Sequence, residues 1–224
     1  MRRWLAIAVL TLTAACSSGD DNQFQKLGAL TKAAIFGPGE APPPQPELTR
    51  AELNQIPSAT IALTVGDAPR AYLVPLADNG GYLNYLDASG HGVIMYGGAI
   101  TGTQAFGKDL EGTRQDRRDP IAHPTPLAQW PTQVYRDYQF TVRDGADYSI
   151  TLSCVFDRIV AETIEIVEID FDLVRIAETC TNARRQVVNT YWVEEDTGFI
   201  WKSVQWLGPS LGQVTVEIIR PYSG

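Results

Sequence analysis

Apolar and polar residues alternate over much of the chain beyond residue 59, and this alternation is typical of β-strands with one buried face. Short apolar runs cover residues 59–65, 71–76, 81–87 and 92–97. The segments between them are rich in glycine, aspartate, asparagine and serine, which favour tight turns. The pattern therefore predicts four short strands joined by turns.

The clearest alternation occurs in the middle of the chain. Apolar side chains occupy every second position over residues 138–142 and again over residues 148–156, on either side of the turn-forming pair Asp144-Gly145. This arrangement predicts a β-hairpin with one buried face. Cys154 belongs to the apolar set, so its side chain is predicted to point inward.

The alternation then changes phase twice over residues 164–176. Successive apolar residues occur at Ile166 and Val167, and again at Leu173 and Val174. Two such slips in one long strand predict bulges that bend it. The opposite face carries four carboxylates, which we interpret as a solvated face because no loop with calcium-ligand spacing accompanies them. They are Glu165, Glu168, Asp170 and Asp172.

The last third of the chain repeats the hairpin pattern. Predicted strands over residues 186–194 and 199–207 flank a turn at 195–198, and a final strand covers residues 213–220. Ten or more short strands joined by tight turns predict an all-β, mainly antiparallel domain over residues 48–224. A single barrel or a single sandwich would satisfy this pattern.

The N-terminal residues have a different character. Arg2 and Arg3 precede an apolar run that is too short to span a bilayer of about 30 Å, and small residues lead into Cys16. This order predicts a lipoprotein signal peptide over residues 1–15. Cys16 would then carry a diacylglyceryl thioether and an N-acyl chain such as palmitate, and three chains anchor a protein permanently. The alternative is an ordinary secretory peptide cut near Ala15.

Residues 16–47 are predicted to connect this anchor to the β domain. A polar tether is followed by a short amphipathic helix over 23–36 and by a Pro-rich extended linker over 41–46. A position of the helix on the membrane surface is the alternative, and it is disfavoured because few lysines are available to meet anionic headgroups. Thr49 and Glu52 then form a capping-box pattern that predicts one more short helix, ending before Pro57.

Composition narrows the classes of function. The chain of 224 residues has a formal net charge of −8, and removal of residues 1–15 leaves 16 basic and 26 acidic residues, a net charge of −10. Duplex nucleic acid is excluded as a partner, because its binding needs clustered lysine and arginine. Neither His91 nor His123 has a cysteine or second histidine at metal-ligand spacing, so no metal and no cofactor is predicted.

Two cysteines remain once Cys16 is assigned to lipid. Cys154 and Cys180 would lie in an oxidising compartment, where an even number of thiols favours pairing. A bond between them stays open at this point, because alternation determines the face of Cys154 but not which strand lies beside it.

Two sets of side chains are candidates for direct chemistry on a glycan. Carboxylates in the polar stretch 107–123 would serve a polysaccharide-cleaving enzyme, but arginines are interleaved with them, which favours a salt-bridged surface loop. That stretch contains Asp109, Glu111, Asp116, Asp119 and His123. Aromatic rings would serve a glycan-binding module, with core packing as the alternative. These rings are Tyr191, Trp192, Trp201 and Trp206, and alternation places the first two on opposite faces.

Three segments and two cysteines carry a resemblance to a known family. Residues 189–192 and 198–209 resemble the closing signature of the YjbF/GfcB lipoproteins, and residues 103–110 are similar to that family's T-x-G-[FL]-G-x-D-L stretch. Ala105 stands where the family usually has glycine, which predicts a local difference in the turn. Cys154 and Cys180 stand where the family places two cysteines. The resemblance extends over about residues 55–222.

The resemblance implies a role and a location. It implies an outer-membrane lipoprotein, facing the periplasm, that assists exopolysaccharide or capsule secretion or assembly. Its partners would be export or assembly proteins, and it would not itself be an enzyme. No catalytic signature is among the matching motifs.

Overall fold

Twelve antiparallel strands form one continuous sheet that curls into a nearly closed barrel in the computed structural model, which describes residues 47–141 and 147–223. The strands are β1 (Thr60–Val65), β2 (Ala71–Asn79), β3 (Tyr82–Leu86), β4 (Gly92–Tyr96), β5 (Ala99–Gln104), β6 (Leu110–Gln115), β7 (Gln133–Thr141), β8 (Asp147–Glu165), β9 (Asp170–Asn182), β10 (Arg185–Val193), β11 (Ile200–Trp206) and β12 (Gln213–Arg220). The predicted all-β, antiparallel class is confirmed. The pattern allowed either a barrel or a sandwich, and the structure is a nearly closed barrel.

The order of strands explains how the barrel is built. Each strand pairs with its neighbour in the chain, except that β1 pairs with β12, while β5 and β6 form the two ends of the sheet. The largest apolar cluster draws buried side chains from every strand except β10, so it fills the interior that the sheet encloses. Residues at alternate positions of β7, from Val134 to Phe140, are all buried on this inner face.

The two ends of the sheet meet at a seam. At one end of the seam the backbone N–H of Leu110 donates to Thr103 Oγ1 at 2.8 Å, and that hydroxyl donates to Asp109 at 2.8 Å. At the other end the N–H of Gly98 donates to the carbonyl of Ile121 at 2.7 Å. A loop therefore completes the barrel wall where β5 and β6 do not reach each other.

One short α-helix, α1 (Arg50–Leu53), precedes the barrel, and a 3-10 turn covers Leu127–Gln129. The capping box is confirmed, because Thr49 and Glu52 exchange side-chain and backbone hydrogen bonds. The Arg50 guanidinium donates to three backbone carbonyls, including that of Ile166 at 2.7 Å, which holds α1 against the β8–β9 hairpin. No helix among the described residues combines the length and apolar character needed to cross a membrane.

The phase slip at Ile166 and Val167 is a hairpin turn, and the predicted bulge there is wrong. Strand β8 ends at Glu165 and β9 begins at Asp170, while Val167 and Glu168 have φ values of 45° and 62°. The slip arises because the chain reverses, so residues on its two sides belong to different strands. Ile166 is buried beneath α1 and contributes to the packing there.

The predicted bulge at Leu173 and Val174 is also wrong. Pairing between β8 and β9 continues without interruption through both residues, and the register shifts instead between Arg158 and Val160. Both Leu173 and Val174 are buried, so both faces of the strand are covered at this point. The four carboxylates of this region are exposed, as predicted.

Several predicted elements lie outside the described residues. They are the signal peptide at 1–15, the tether, the helix at 23–36, the Pro-rich linker and the turn at Asp144-Gly145.

Ala105 adopts a backbone conformation that favours glycine, with φ at 68° in the turn between β5 and β6. We expect Ala105→Gly to raise the free energy of unfolding by about 0.5–1 kcal/mol. The relief of the alanine Cβ in the left-handed region outweighs the greater freedom of glycine in the unfolded chain. Guanidinium chloride denaturation of both proteins measures the change.

Gly107 in the same turn provides the control. Its φ is 85°, and no atom lies within 4 Å of the position that a Cβ would take, so Gly107→Ala adds strain without a clash. The two substitutions should shift the denaturation midpoint in opposite directions. A shift in the same direction would contradict this interpretation of the turn.

Candidate functional site

A buried arginine lies at the centre of a polar network inside the barrel. Arg136 projects from β7 onto the inner face and has 4% of its surface exposed. Its guanidinium donates to both carboxylate oxygens of Asp119, at 2.5 and 2.8 Å, and to Glu178 Oε2 at 2.7 Å. Both carboxylates are fully buried. One cation is therefore shared by two acids that belong to separate parts of the chain.

Glu178 connects this arginine to the strands β10 and β11. Its Oε2 accepts hydrogen bonds from the Tyr191 hydroxyl at 2.9 Å and from Asn189 Nδ2 at 2.8 Å. Asn189 Oδ1 in turn accepts the backbone N–H of Trp206 at 2.8 Å. Glu178 Oε1 has no hydrogen-bond partner among the described residues. The network links four strands across the interior.

Electrostatics determine the charge states of Arg136 and Tyr191. Burial alone would lower the pKa of Arg136, but Glu178, Tyr191 and Asp119 outweigh burial and raise it well above its usual value. Burial, followed by the charge of Glu178, raises the pKa of Tyr191 well above its usual value. The arginine is therefore a permanent cation and the phenol stays neutral. Since none of these groups reaches solvent, the network holds the barrel together and does not contact a soluble ligand.

A disulfide joins Cys154 and Cys180 beside this network, with an S–S distance of 2.10 Å. The two residues are directly paired between β8 and β9, and both are fully buried. Within the described part of the chain, the one cluster of metal-ligating residue types with close spacing consists of these cysteines and Glu178. Paired sulfurs are not thiolates, so this cluster does not offer the ligands that a metal needs.

The stretch 107–123 is not a surface loop throughout, because β6 covers its residues 110–115. Three of its carboxylates make separate structural contacts. Asp119 pairs with Arg136, and Asp109 accepts from Thr103 and from the backbone N–H of Phe106. The N–H of Arg118 donates to Asp116 and holds the pKa of that carboxyl below its usual value. Glu111 is exposed, and so is His123. The structure does not bring these groups together as an acid and base pair.

The four aromatic residues predicted to contact a glycan differ in how deeply they are buried. Tyr191 is fully buried and Trp206 has 8% of its surface exposed, so both belong to the interior. Trp192 is half-buried, donates its indole N–H to Glu162 and lies under the ammonium of Lys202. Trp201 is also half-buried and packs on Phe171, with ring centres 4.3 Å apart. Of these four rings, only those of Trp192 and Trp201 present surface to a ligand.

A surface cleft at the seam of the barrel is a candidate site that sequence reasoning missed. It has a volume of about 310 Å³ and lies between the ends of β3 and β4 on one side and β6 and β7 on the other. Two tyrosine rings, from Tyr82 and Tyr96, stack with their centres 4.5 Å apart. The ring of His123 meets Tyr96 edge-on at 5.3 Å. The remaining lining residues are Thr113, Arg114, Gln115, Arg117 and Gln139.

The cleft has a charge opposite to that of the whole protein. Arg114 and Arg117 line it, and no carboxylate does. In the ranges 47–141 and 147–223, no carboxylate oxygen lies within 4.0 Å of either guanidinium. The chain as a whole carries a net charge of −8. The cleft is therefore a local cationic site with an aromatic wall.

Comparison with known proteins identifies the family of the chain. A family model described as group 4 capsule polysaccharide lipoprotein gfcB, YjbF, matches residues 28–219. The chain belongs to the YjbF family. Membership confirms the resemblance seen in the closing segments and in the stretch 103–110, and it associates the chain with capsule polysaccharide lipoproteins.

A solved structure shares the fold of this YjbF-family protein. The crystal structure of the hypothetical lipoprotein YmcC from Escherichia coli (K12) superposes with a TM-score of 0.66 at 20% sequence identity. The match covers 79% of this chain and 90% of that one. No curated protein matched the chain. At this identity the likeness to YmcC shows a common fold and nothing finer.

Proposed function

We propose that this YjbF-family protein is a non-enzymatic accessory lipoprotein in capsule or exopolysaccharide secretion or assembly. The observation that carries the proposal is the match of residues 28–219 to a family of capsule polysaccharide lipoproteins. The protein is anchored through lipid on Cys16 and faces the periplasm. Ser17 follows the cysteine where an aspartate would favour retention in the inner membrane, which supports an outer-membrane location.

Three features of the acidic stretch support a role without catalysis. Glycoside cleavage requires one carboxyl group with a raised pKa to act as a general acid. The pKa of Asp116 is lowered, chiefly by the hydrogen bond from the Arg118 backbone. Asp119 is enclosed with Arg136, and Asp109 is committed to a turn. All three carboxyls are therefore engaged in structural contacts, and the three are not brought together as an acid and a base would be.

The partners that fit this role are the proteins of polysaccharide export or assembly, together with the polysaccharide itself. Direct binding of glycan is the second candidate function. The cleft supports it better than the tryptophans do, because the cleft combines aromatic rings with arginines at one place, whereas the tryptophans lie apart from one another. Crosslinking in intact envelopes followed by mass spectrometry separates the two cases. A partner protein of the export apparatus would support docking, and crosslinks confined to glycan would support binding.

Deletion of the gene tests the accessory role. We expect surface polysaccharide to fall in amount or chain length, and the wild-type gene to restore it. A gene carrying Cys16→Ser should restore it poorly, because the lipid-free protein folds but is released into the periplasm. Fractionation of envelopes and electrophoresis of the surface polysaccharide measure the two effects. Unchanged polysaccharide in the deletion strain would contradict the accessory role, and a Cys16→Ser protein that still sediments with the outer membrane would contradict the lipid anchor.

A further inference from the structure

We propose that the seam cleft, defined by Tyr82, Tyr96, Arg114, Arg117 and His123 with the polar residues between them, binds a short segment of an acidic glycan. The ligand has a sugar ring bearing a carboxylate, such as a uronic acid. That the ligand is a polysaccharide rests on the proposed function. That it is negatively charged rests on the two arginines of the cleft.

The aromatic wall is the first feature that suits a sugar. Tyr82 has 42% of its surface exposed, and its ring stacks on Tyr96 with an angle of 29° between the planes. Since Tyr96 also contacts the ring of His123, the three rings form one continuous surface. A sugar presents an apolar C–H face that packs on such rings, while a phenol hydroxyl at the rim hydrogen-bonds to water or to the ligand.

The position of this wall is determined by the turn before β3. Gly81 has a φ of 90°, and a Cβ on this residue would lie 3.1 Å from Tyr96 Cε2. Asp78 accepts the N–H of Gly81 at 2.7 Å and holds the turn. The turn therefore helps to hold the stacked pair in place, which reduces the entropy lost on binding.

The opposite wall provides recognition of charge. Arg114 and Arg117 are exposed guanidinium groups without a carboxylate partner among the described residues. A planar guanidinium binds a carboxylate with two parallel hydrogen bonds. Thr113, Gln115 and Gln139 add neutral donors and acceptors, which suit the hydroxyl groups of a sugar.

Size and charge restrict the ligand further. A volume of about 310 Å³ is at the lower end of the range for small-molecule sites, so the cleft holds a short segment of a longer chain. Nucleic acid does not fit, because its affinity depends on several phosphate contacts and the protein as a whole is acidic. A neutral glycan would leave both guanidinium groups without a counter-charge.

Calorimetry with a matched pair of probes tests the proposal. The full chain, purified from envelopes in detergent, is titrated with trigalacturonate and with its fully methyl-esterified form, which has the same sugars without charge. We expect the acid to bind and the ester to bind at least about tenfold more weakly, because the ester loses the charge-assisted hydrogen bonds. Equal affinity for both probes, or no binding of the acid at millimolar concentration, would overturn the proposal.

Substitutions locate the site. Arg114→Gln and Tyr82→Ala should each weaken binding of trigalacturonate about tenfold, since each removes one of the two recognition elements. Arg184→Gln changes an exposed arginine in the β9–β10 turn, and Tyr135→Ala removes a tyrosine that is 56% exposed on β7. These controls should bind within twofold of wild type. Equal losses in the control variants would overturn the assignment to the cleft.

The binding experiment and the gene deletion test different proposals, so each can fail without the other. If trigalacturonate does not bind but deletion still lowers surface polysaccharide, the cleft assignment is wrong and the accessory role stands. If binding follows the expected pattern but deletion has no effect on surface polysaccharide, the cleft is a glycan site and the accessory role is wrong.

Discussion

Replacement of Arg136 by methionine should lower the free energy of unfolding by about 3–5 kcal/mol, because it leaves two buried carboxylates without their cation. Asp119 and Glu178 are both 0% exposed, so water cannot replace the lost hydrogen bonds unless the barrel opens. Single domains have a total stability of about 5–15 kcal/mol. A loss of this size is a large fraction of that total.

Guanidinium chloride denaturation, followed by tryptophan fluorescence, measures this loss. Arg158→Met is the matched control, because Arg158 pairs with Glu195 on the surface at 2.5 Å and both side chains are 53% exposed. Exposed ion pairs contribute little to stability, so the control should leave the midpoint nearly unchanged. The comparison separates the loss of an arginine from the loss of a buried cation.

A further variant keeps this prediction testable when Arg136→Met fails to fold. In Arg136→Met/Asp119→Asn/Glu178→Gln the buried charges are removed together, so part of the lost stability should return. An Arg136→Met protein whose unfolding free energy stays within about 1 kcal/mol of wild type would contradict the prediction, because a buried charge without its partner costs more than that.

Reduction of the disulfide is expected to produce the second large effect. Cys154 and Cys180 are 26 residues apart in the chain, and a bond that closes a loop of this length stabilises the folded state by about 3.5 kcal/mol. The bond also lies within the main apolar cluster, where both cysteines are fully buried. We therefore expect the reduced protein to unfold at a clearly lower concentration of denaturant.

Denaturation with and without a thiol reductant measures the contribution of this bond. The variant Cys154→Ala/Cys180→Ala serves as the control, because its midpoint should not respond to the reductant. The wild-type midpoint should move to a lower denaturant concentration in the reduced sample. Equal midpoints for oxidised and reduced wild type would show that the bond adds no stability.

Most strands were predictable from the sequence because their signals are local, but β5 and β6 were not among those predicted. Alternation over 148–156 placed Cys154 inward, and the structure confirms this orientation. The slip at Ile166 was misinterpreted for a related reason. Both a bulge and a tight hairpin reverse the phase of alternation, and the turn contains no glycine or proline to mark it. Only the pairing of β8 with β9 separates the two cases.

The candidate cleft was not predictable in the same way. Tyr82 lies on β3 and Arg114 on β6, and no local pattern relates these two strands, which do not pair with each other. Arg114 did appear in the acidic stretch, where it was interpreted as part of a salt-bridged loop. The sequence carries no signal for the cationic site, because four carboxylates accompany the three arginines of the stretch 107–123. The positive charge of the cleft becomes visible only once Asp116 and Asp119 are known to have other partners.

Asp119 shows the same limit from the opposite direction. In the sequence it is one acid among several in a polar stretch, and polarity there indicates a solvated loop. In the structure it is fully buried, because Arg136, 17 residues away, offers it two hydrogen bonds inside the barrel. Whether an acidic residue is buried cannot be predicted from the sequence until the position of its cationic partner in the fold is known.

By itself, the sequence determined the β class, the capping box, the inward position of Cys154 and the family signature, because periodicity, turn chemistry and motif spacing act over a few residues. The tertiary structure alone decided how the barrel closes and which groups meet inside it. Glu178 reaches Arg136 across 42 residues of chain, and the stacked tyrosines face arginines on the far side of the seam. Such contacts depend on strand order and register, and these are set by the collective packing of the interior and not by any single segment.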